Sequence, residues 1–91
     1  MVLKLRWTNR ALERLDGVAA YIAKDNPIRA ETFTKELREK VAILQHQQLG
    51  TAWQVFGTKQ YVLHANYIAI YRVKAGEVQI LTILHSAQER Q

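Results

Sequence analysis

The spacing of apolar residues changes along this chain, and the change restricts the fold to one class. Ala11, Leu12, Leu15, Val18, Ala19 and Ile22 recur at steps of three and four residues, as do Ala30, Phe33, Leu37, Val41 and Leu44. Each set makes one stripe along a helix. Val2–Trp7 alternates instead, and from Trp53 onward the apolar residues come in period two or in short β-branched and aromatic runs, as strands require. The expected order is a short N-terminal strand, two helices, then strands at Trp53–Phe56, Lys59–His64, Tyr67–Val73 and Val78–Leu84. Helices grouped ahead of a run of strands give an α+β fold: an antiparallel helical hairpin on one side of a four-stranded, largely antiparallel meander.

Local chemistry marks the joints. Thr8 or Asn9 can cap the first helix, which Gly17 weakens slightly. Asn26 is a good N-cap for the second, with Pro27 at the first helical position, where a missing N–H costs nothing. Glu31 with Lys35, and Glu36 with Lys40, stand at the i, i+4 spacing of surface pairs. Gln45–Gly50 is a polar exit, and Gly50 is a natural break.

If Ala75-Gly76 and Ala65-Asn66 are both two-residue turns, the register of the last three strands follows. Val73 then faces Val78, Arg72 faces Gln79, Ile70 faces Leu81 and Ile68 faces Ile83. Lys59 faces Arg72, Tyr61 faces Ile70 and Leu63 faces Ile68. One sheet face carries Gln60, Val62, Tyr67, Ala69, Tyr71, Val73, Val78, Ile80, Thr82 and Leu84, and its apolar character turns it towards the helices. The other, with Lys59, Tyr61, Leu63, Ile68, Ile70, Arg72, Gln79, Leu81, Ile83 and His85, is left open to a partner. A one-residue slip in either turn would exchange faces.

Ninety-one residues suffice for one domain, spanning 1–91, because two separate cores would each bury too little surface. Thirteen Lys and Arg against eight Asp and Glu give a formal charge of +5, which favours an acidic partner such as nucleic acid or an acidic protein segment. With no cysteine there is no disulfide framework and no thiol chemistry. The start lacks the apolar stretch of a signal peptide, and no window approaches the ~20 apolar residues of a membrane span. A cytoplasmic protein with no membrane partner is expected. No Gly-rich phosphate loop and no Ser/His/Asp arrangement occurs, and His46 and His64 stand apart from other ligand-type residues. No metal or cofactor is expected. Trp7, Trp53 and Phe56 could serve as stacking platforms for bases, although aromatics in the strands of a small domain more often belong to the core.

Several segments carry a resemblance. Tyr21-Ile22-Ala23-Lys24-Asp25-Asn26-Pro27 is similar to the helix joint of ParE-type toxins, and Gly57-Thr58-Lys59-Gln60 resembles their glycine-x-arginine-glutamate step into a strand. Asn66–Val73 followed by Val78–His85 resembles their last hairpin. The chain is thereby identified as a member of the RelE/ParE superfamily of bacterial toxin–antitoxin systems, nearer its ParE branch. It departs from the family at Gln47–Thr51, where a proline and a glycine-arginine pair are usual, and at Lys59-Gln60. Lysine keeps the charge of arginine but not its planar bidentate fork. The resemblance implies binding and poisoning of DNA gyrase, neutralised by a cognate antitoxin, with Lys59, Arg72, Tyr61, Arg10, Arg14 and Arg90 as partner-binding candidates.

The RelE branch implies instead a ribosome-dependent cut in mRNA. That chemistry needs a base, an acid and cations around one phosphate. The candidates are His85, Lys59, Arg72 and also Tyr67. The register sets Arg72 opposite Gln79, six residues before His85 and therefore roughly 20 Å from it along the strand. Lys59 and Arg72, by contrast, become like-charged cross-strand neighbours, which favours an anion between them. No catalytic residue is expected on this basis. A third alternative is an inactive homologue retained for antitoxin binding.

Overall fold

The computed structural model describes residues 2–85. The elements are β1 (Lys4–Trp7), α1 (Asn9–Ala23), α2 (Pro27–Ala42) with a 3-10 turn at Ile43–Gln45, β2 (Thr51–Ala52), β3 (Lys59–His64), β4 (Tyr67–Lys74) and β5 (Glu77–His85). They form a five-stranded sheet in the order β1-β5-β4-β3-β2. β1 runs parallel to β5, and every other pairing is antiparallel. The expected α+β fold, with its helical hairpin and antiparallel meander, is the fold observed. The strand expected at Trp53–Phe56 is a turn. The short strand lies one step earlier, at Thr51–Ala52, because Trp53 N–H bonds to the Thr58 carbonyl and closes a loop there.

The helices begin where capping chemistry dictates. The Thr8 hydroxyl accepts from the Ala11 N–H, and the Asn26 side chain accepts from the Arg29 N–H. Ala11 and Leu15 of α1 and Ala30, Phe33, Leu37 and Val41 of α2 are buried, while Leu12 is 43% exposed and lies outside the stripe expected for it. On the sheet side the same core contains Leu63, Ala69, Tyr71, Val78, Ile80 and Ile83. Lys40 does not pair with Glu36, which reaches Arg29 instead; its ammonium donates to the Leu63 carbonyl at 2.6 Å. Gly50 (φ 105°) is required where the chain leaves the helices, since a Cβ there would stand 2.2 Å from the Gln60 carbonyl oxygen.

The Ala75-Gly76 turn has positive φ at both residues (54° and 75°), as a primed hairpin turn demands, and Arg72 opposes Gln79 as expected. Beyond that point two bulges overturn the derived register. Tyr71 opposes Ile80 but Ile70 opposes Thr82, so Leu81 is an extra residue in β5. Val62 opposes Ile68 but His64 opposes Tyr67, so Leu63 is an extra residue in β3. Ile68 therefore faces Leu84 rather than Ile83, Tyr61 faces Ala69 rather than Ile70, and Lys59 faces Tyr71 rather than Arg72.

The faces change accordingly. Tyr67, Ala69, Tyr71, Val78 and Ile80 point to the helices as expected, but they are joined by Lys59, Tyr61, Leu63, Ile83 and His85. Gln60, Val62, Thr82 and Leu84 move to the outer face. Each bulge is held by a donor from the N-terminal half. The Thr8 hydroxyl donates to the carbonyls of Ile80 (2.7 Å) and Leu81 (3.1 Å), the Thr8 N–H bonds to Ile80 at 3.1 Å, and Lys40 serves Leu63.

Thr8 thus caps α1 and satisfies the β5 bulge with one hydroxyl. Thr8→Ala is expected to lower unfolding stability by about 2 kcal/mol, the sum of a lost cap and a lost bond to strand carbonyls. Thr8→Ser should recover most of it. Urea denaturation of the three proteins checks this, and equal midpoints for Thr8→Ala and wild type would refute it.

Candidate partner-binding surfaces

Two rows of side chains cross the outer face on β1, β5 and β4. Lys4, Glu77 and Lys74 form one, and Arg6, Gln79 and Arg72 the next. Adjacent strands lie about 4.8 Å apart, so the two ends of a row are separated by roughly 10 Å. Arg72 Nε donates to Gln79 Oε1 (2.7 Å), Gln79 Nε2 donates to Glu77 Oε1 (2.8 Å), and Arg6 Nη1 stands 3.7 Å from the same carboxylate. One carboxylate thus answers four cations, and Lys4, Arg6, Arg72 and Lys74 are all exposed. The other half of this face is apolar, with Ile68 and Ile70 buried beside Val62 and Leu84.

Lys59 and Arg72 do not oppose one another, because the β3 bulge shifts Lys59 to Tyr71 and to the helix side. Both nevertheless line one groove of about 350 Å³ at the sheet end, together with Gln48, Gly57, Tyr71 and Val73. Lys59 Nζ donates to the Gln48 carbonyl at 3.2 Å. Tyr61 is half-buried against the core rather than presented to solvent. Arg10 and Arg14 are exposed on α1. Arg90 lies outside the described residues.

A second cleft, of about 560 Å³, opens between α1 and the far ends of β4 and β5, lined by Glu13, Arg14, Gly17, Val18, Tyr21, Tyr67, Ile83 and His85. His85 meets Tyr67 edge to face (5.2 Å between ring centres, 86°), Tyr67 meets Phe33 (5.6 Å), and Phe33 meets His64 (5.1 Å) and lies under the Arg29 guanidinium (5.1 Å). Burial, and then the proximity of Tyr21, raises the Tyr67 pKa. Arg14 and His85 share this cleft, whereas Arg72 belongs to the other end and the other face.

Sequence reasoning missed Lys4, Arg6 and Lys74 as members of the cationic face. Their signal was present in the alternation Leu3-Lys4-Leu5-Arg6-Trp7 and in Arg72-Val73-Lys74. Using it needed the placement of β1 beside β5, which no local pattern reveals. The proximity of Tyr21 and Arg14 to His85 was missed for the same reason, since the β5 bulge sets it. Among the described residues no three His, Asp or Glu side chains gather as a metal site would require, and no helix is long and apolar enough to cross a membrane.

Comparison with known proteins gives this architecture a family. The profile of the ParE toxin of type II toxin–antitoxin systems matches residues 5–90. The toxin candidate Y4kP of Sinorhizobium fredii is 36% identical over 88 residues, covering 94% of this chain and 91% of that protein. Among solved structures, a chromosomal ParDE system from P. aeruginosa superposes with a TM-score of 0.85 at 29% identity, over 92% of this chain and 96% of that one. A mutant of E. coli toxin RelE in the free state shares the fold (TM-score 0.69) at only 11% identity, over 99% and 90% of the two chains. The chain belongs to the ParE toxin family of type II toxin–antitoxin systems.

Tyr71 fixes the loop that walls the first groove. Its ring is fully buried and its hydroxyl donates to the Leu49 carbonyl. Burial, with a smaller contribution from Tyr61, pushes its pKa up to about 12. A phenol kept neutral in the fold stabilises it fully below the unfolded value near 10, and that stabilisation is lost as pH rises from about 10 to about 12. Tyr71→Phe is expected to cost about 1 kcal/mol at neutral pH and to flatten the loss of stability above pH ~10. Denaturation midpoints across the alkaline range read both effects, and identical alkaline slopes for variant and wild type would contradict the assignment.

Proposed function

We propose that this protein is a ParE-type toxin that acts by binding, poisoning DNA gyrase to block replication, and that a cognate antitoxin neutralises it. Membership of the ParE toxin family supports the class. The observation that carries the binding mode is the separation of the groups a nuclease would have to bring together. Arg72 opposes Gln79 and His85 opposes Tyr67, so five residue steps of β4, roughly 17 Å, separate them. The bulge at Leu81 also turns His85 to the helix side while Arg72 stays on the outer face. Arg72 and His85 therefore cannot act on one phosphate, since they stand on opposite sides of the sheet.

What the molecule offers instead is two concave surfaces beside exposed cations on a chain of net charge +5. A disordered acidic or amphipathic antitoxin segment, folding as it binds, fits the cleft along α1 and the helical hairpin from Arg10 to Lys40. The groove with Lys59 and Arg72 suits a second acidic contact. The P. aeruginosa relative is described as a ParDE system, which accords with an antitoxin partner for this chain too.

Purified protein in molar excess over gyrase is expected to inhibit supercoiling and to trap cleaved DNA, and preincubation with the antitoxin should relieve both. Folded toxin that neither slows supercoiling nor traps cleavage complexes would remove gyrase as the target.

A further inference from the structure

Phe56 is 101% exposed and Val55 beside it 51%. Of the three aromatics singled out as core or stacking groups, Trp7 packs on the core and Trp53 is half-buried, and Phe56 alone stands in solvent. The turn that carries it is tied down. The Thr58 N–H and hydroxyl both donate to the Val55 carbonyl, the Trp53 N–H donates to the Thr58 carbonyl at 3.1 Å, and Gly57 takes φ 83°. A rigid turn therefore holds a bare phenyl ring at the end of the sheet. Gly57, the next residue, lines the groove that also contains Lys59 and Arg72, and beyond Arg72 the outer face continues through Lys74, Arg6 and Lys4.

An apolar tip beside cations suits either an acidic-rimmed protein pocket or a nucleic acid. Stable protein interfaces bury about 800 Å² per partner around a centre depleted of charge. Here the exposed apolar side chains are few, Val55 and Phe56 on the turn and Val73 in the adjoining groove, and the surface beyond them is charged, which is the composition of nucleic-acid interfaces. A base presents a π-face that a phenyl ring can stack on, whatever its sequence. We propose that this end of the molecule binds an unpaired nucleic-acid strand. One base stacks on Phe56, and the neighbouring phosphates lie along Arg72, Lys74, Arg6 and Lys4. Glu77 is already engaged by Arg6 and Gln79, which leaves the remaining cations a net attraction for phosphate.

The proposal goes beyond gyrase poisoning and is tested without gyrase, so either can fail alone. Fluorescence anisotropy with a labelled oligothymidylate of about twelve nucleotides, over a range of salt concentrations, is the measurement. Wild type is expected to bind with a log–log salt slope of about −2 to −3, as three or four phosphate contacts to a single strand require. Phe56→Ala should weaken binding about 5- to 30-fold with the slope unchanged, because stacking releases no counterions. Lys74→Gln should make the slope shallower by about 0.7. Both side chains are exposed, so thermal melting by circular dichroism should be unchanged, separating these effects from unfolding. On a fully paired duplex of the same length, where bases are already stacked, Phe56→Ala should have little effect. Three results would overturn the proposal: no saturable binding at the lowest salt, wild-type affinity in Phe56→Ala, or an equal loss on paired and unpaired strands.

Discussion

The Thr8 hydroxyl joins the two halves of this molecule, and the arrangement of both candidate surfaces depends on it. It accepts from the first turn of α1 and donates to the carbonyls of Ile80 and Leu81, where β5 carries one residue more than β4 opposes. A bulge leaves backbone groups without ladder partners, and such groups are costly inside a core unless something bonds them. Thr8 supplies that bond and at the same time starts the helix that covers the sheet. Lys40 plays the matching part at the β3 bulge through the Leu63 carbonyl. The register of the sheet and the seating of the helices are therefore set together.

The consequence is a division of labour between the faces. Without the extra residue in β5, alternation would put Gln79 and His85 on the same side. With it, Ile83 and His85 turn inwards to meet Ala69 and Tyr67, and His85 becomes a wall of the α1 cleft together with Arg14 and Tyr21. Arg72 and Gln79 remain outside, in line with Arg6. The molecule so acquires an aromatic cleft on the helix side and a cationic surface on the other, with the Lys59 groove and the Phe56 turn at the margin between them. Such a layout keeps Arg72 apart from His85 and gives the molecule two concave surfaces of different chemistry.

Much of the fold was legible in the sequence because its signals are local. Asn26-Pro27 marks the second helix, the Phe33, Leu37, Val41 and Leu44 stripe marks its buried side, and Ala75-Gly76 sets the last hairpin. The class of the chain was legible in the segments Tyr21–Pro27 and Asn66–His85. What could not be read were features decided by partners distant in sequence. Nothing in Tyr61-Val62-Leu63-His64 or Ile80-Leu81-Thr82 announces a bulge, since the bonds that stabilise it come from Lys40 and Thr8. The resulting one-residue shifts broke the expected opposition of Lys59 and Arg72, although the loop at Gln48 and Gly57 still brings both to one groove. The cationic face was hidden because half of it comes from β1, whose parallel pairing with β5 spans the whole chain. Phe56 escaped as a strand residue because the Trp53–Thr58 closure, not its own propensity, decides its conformation.

The central claim is that these surfaces bind and do not cut RNA. Induction of the toxin in cells lacking the antitoxin, with DNA synthesis and protein synthesis followed separately by pulse labelling, tests it most directly. DNA synthesis should fall first, while translation continues and mRNA stays intact. An early stop in translation with cuts in ribosome-bound mRNA, ahead of any loss of replication, would contradict it.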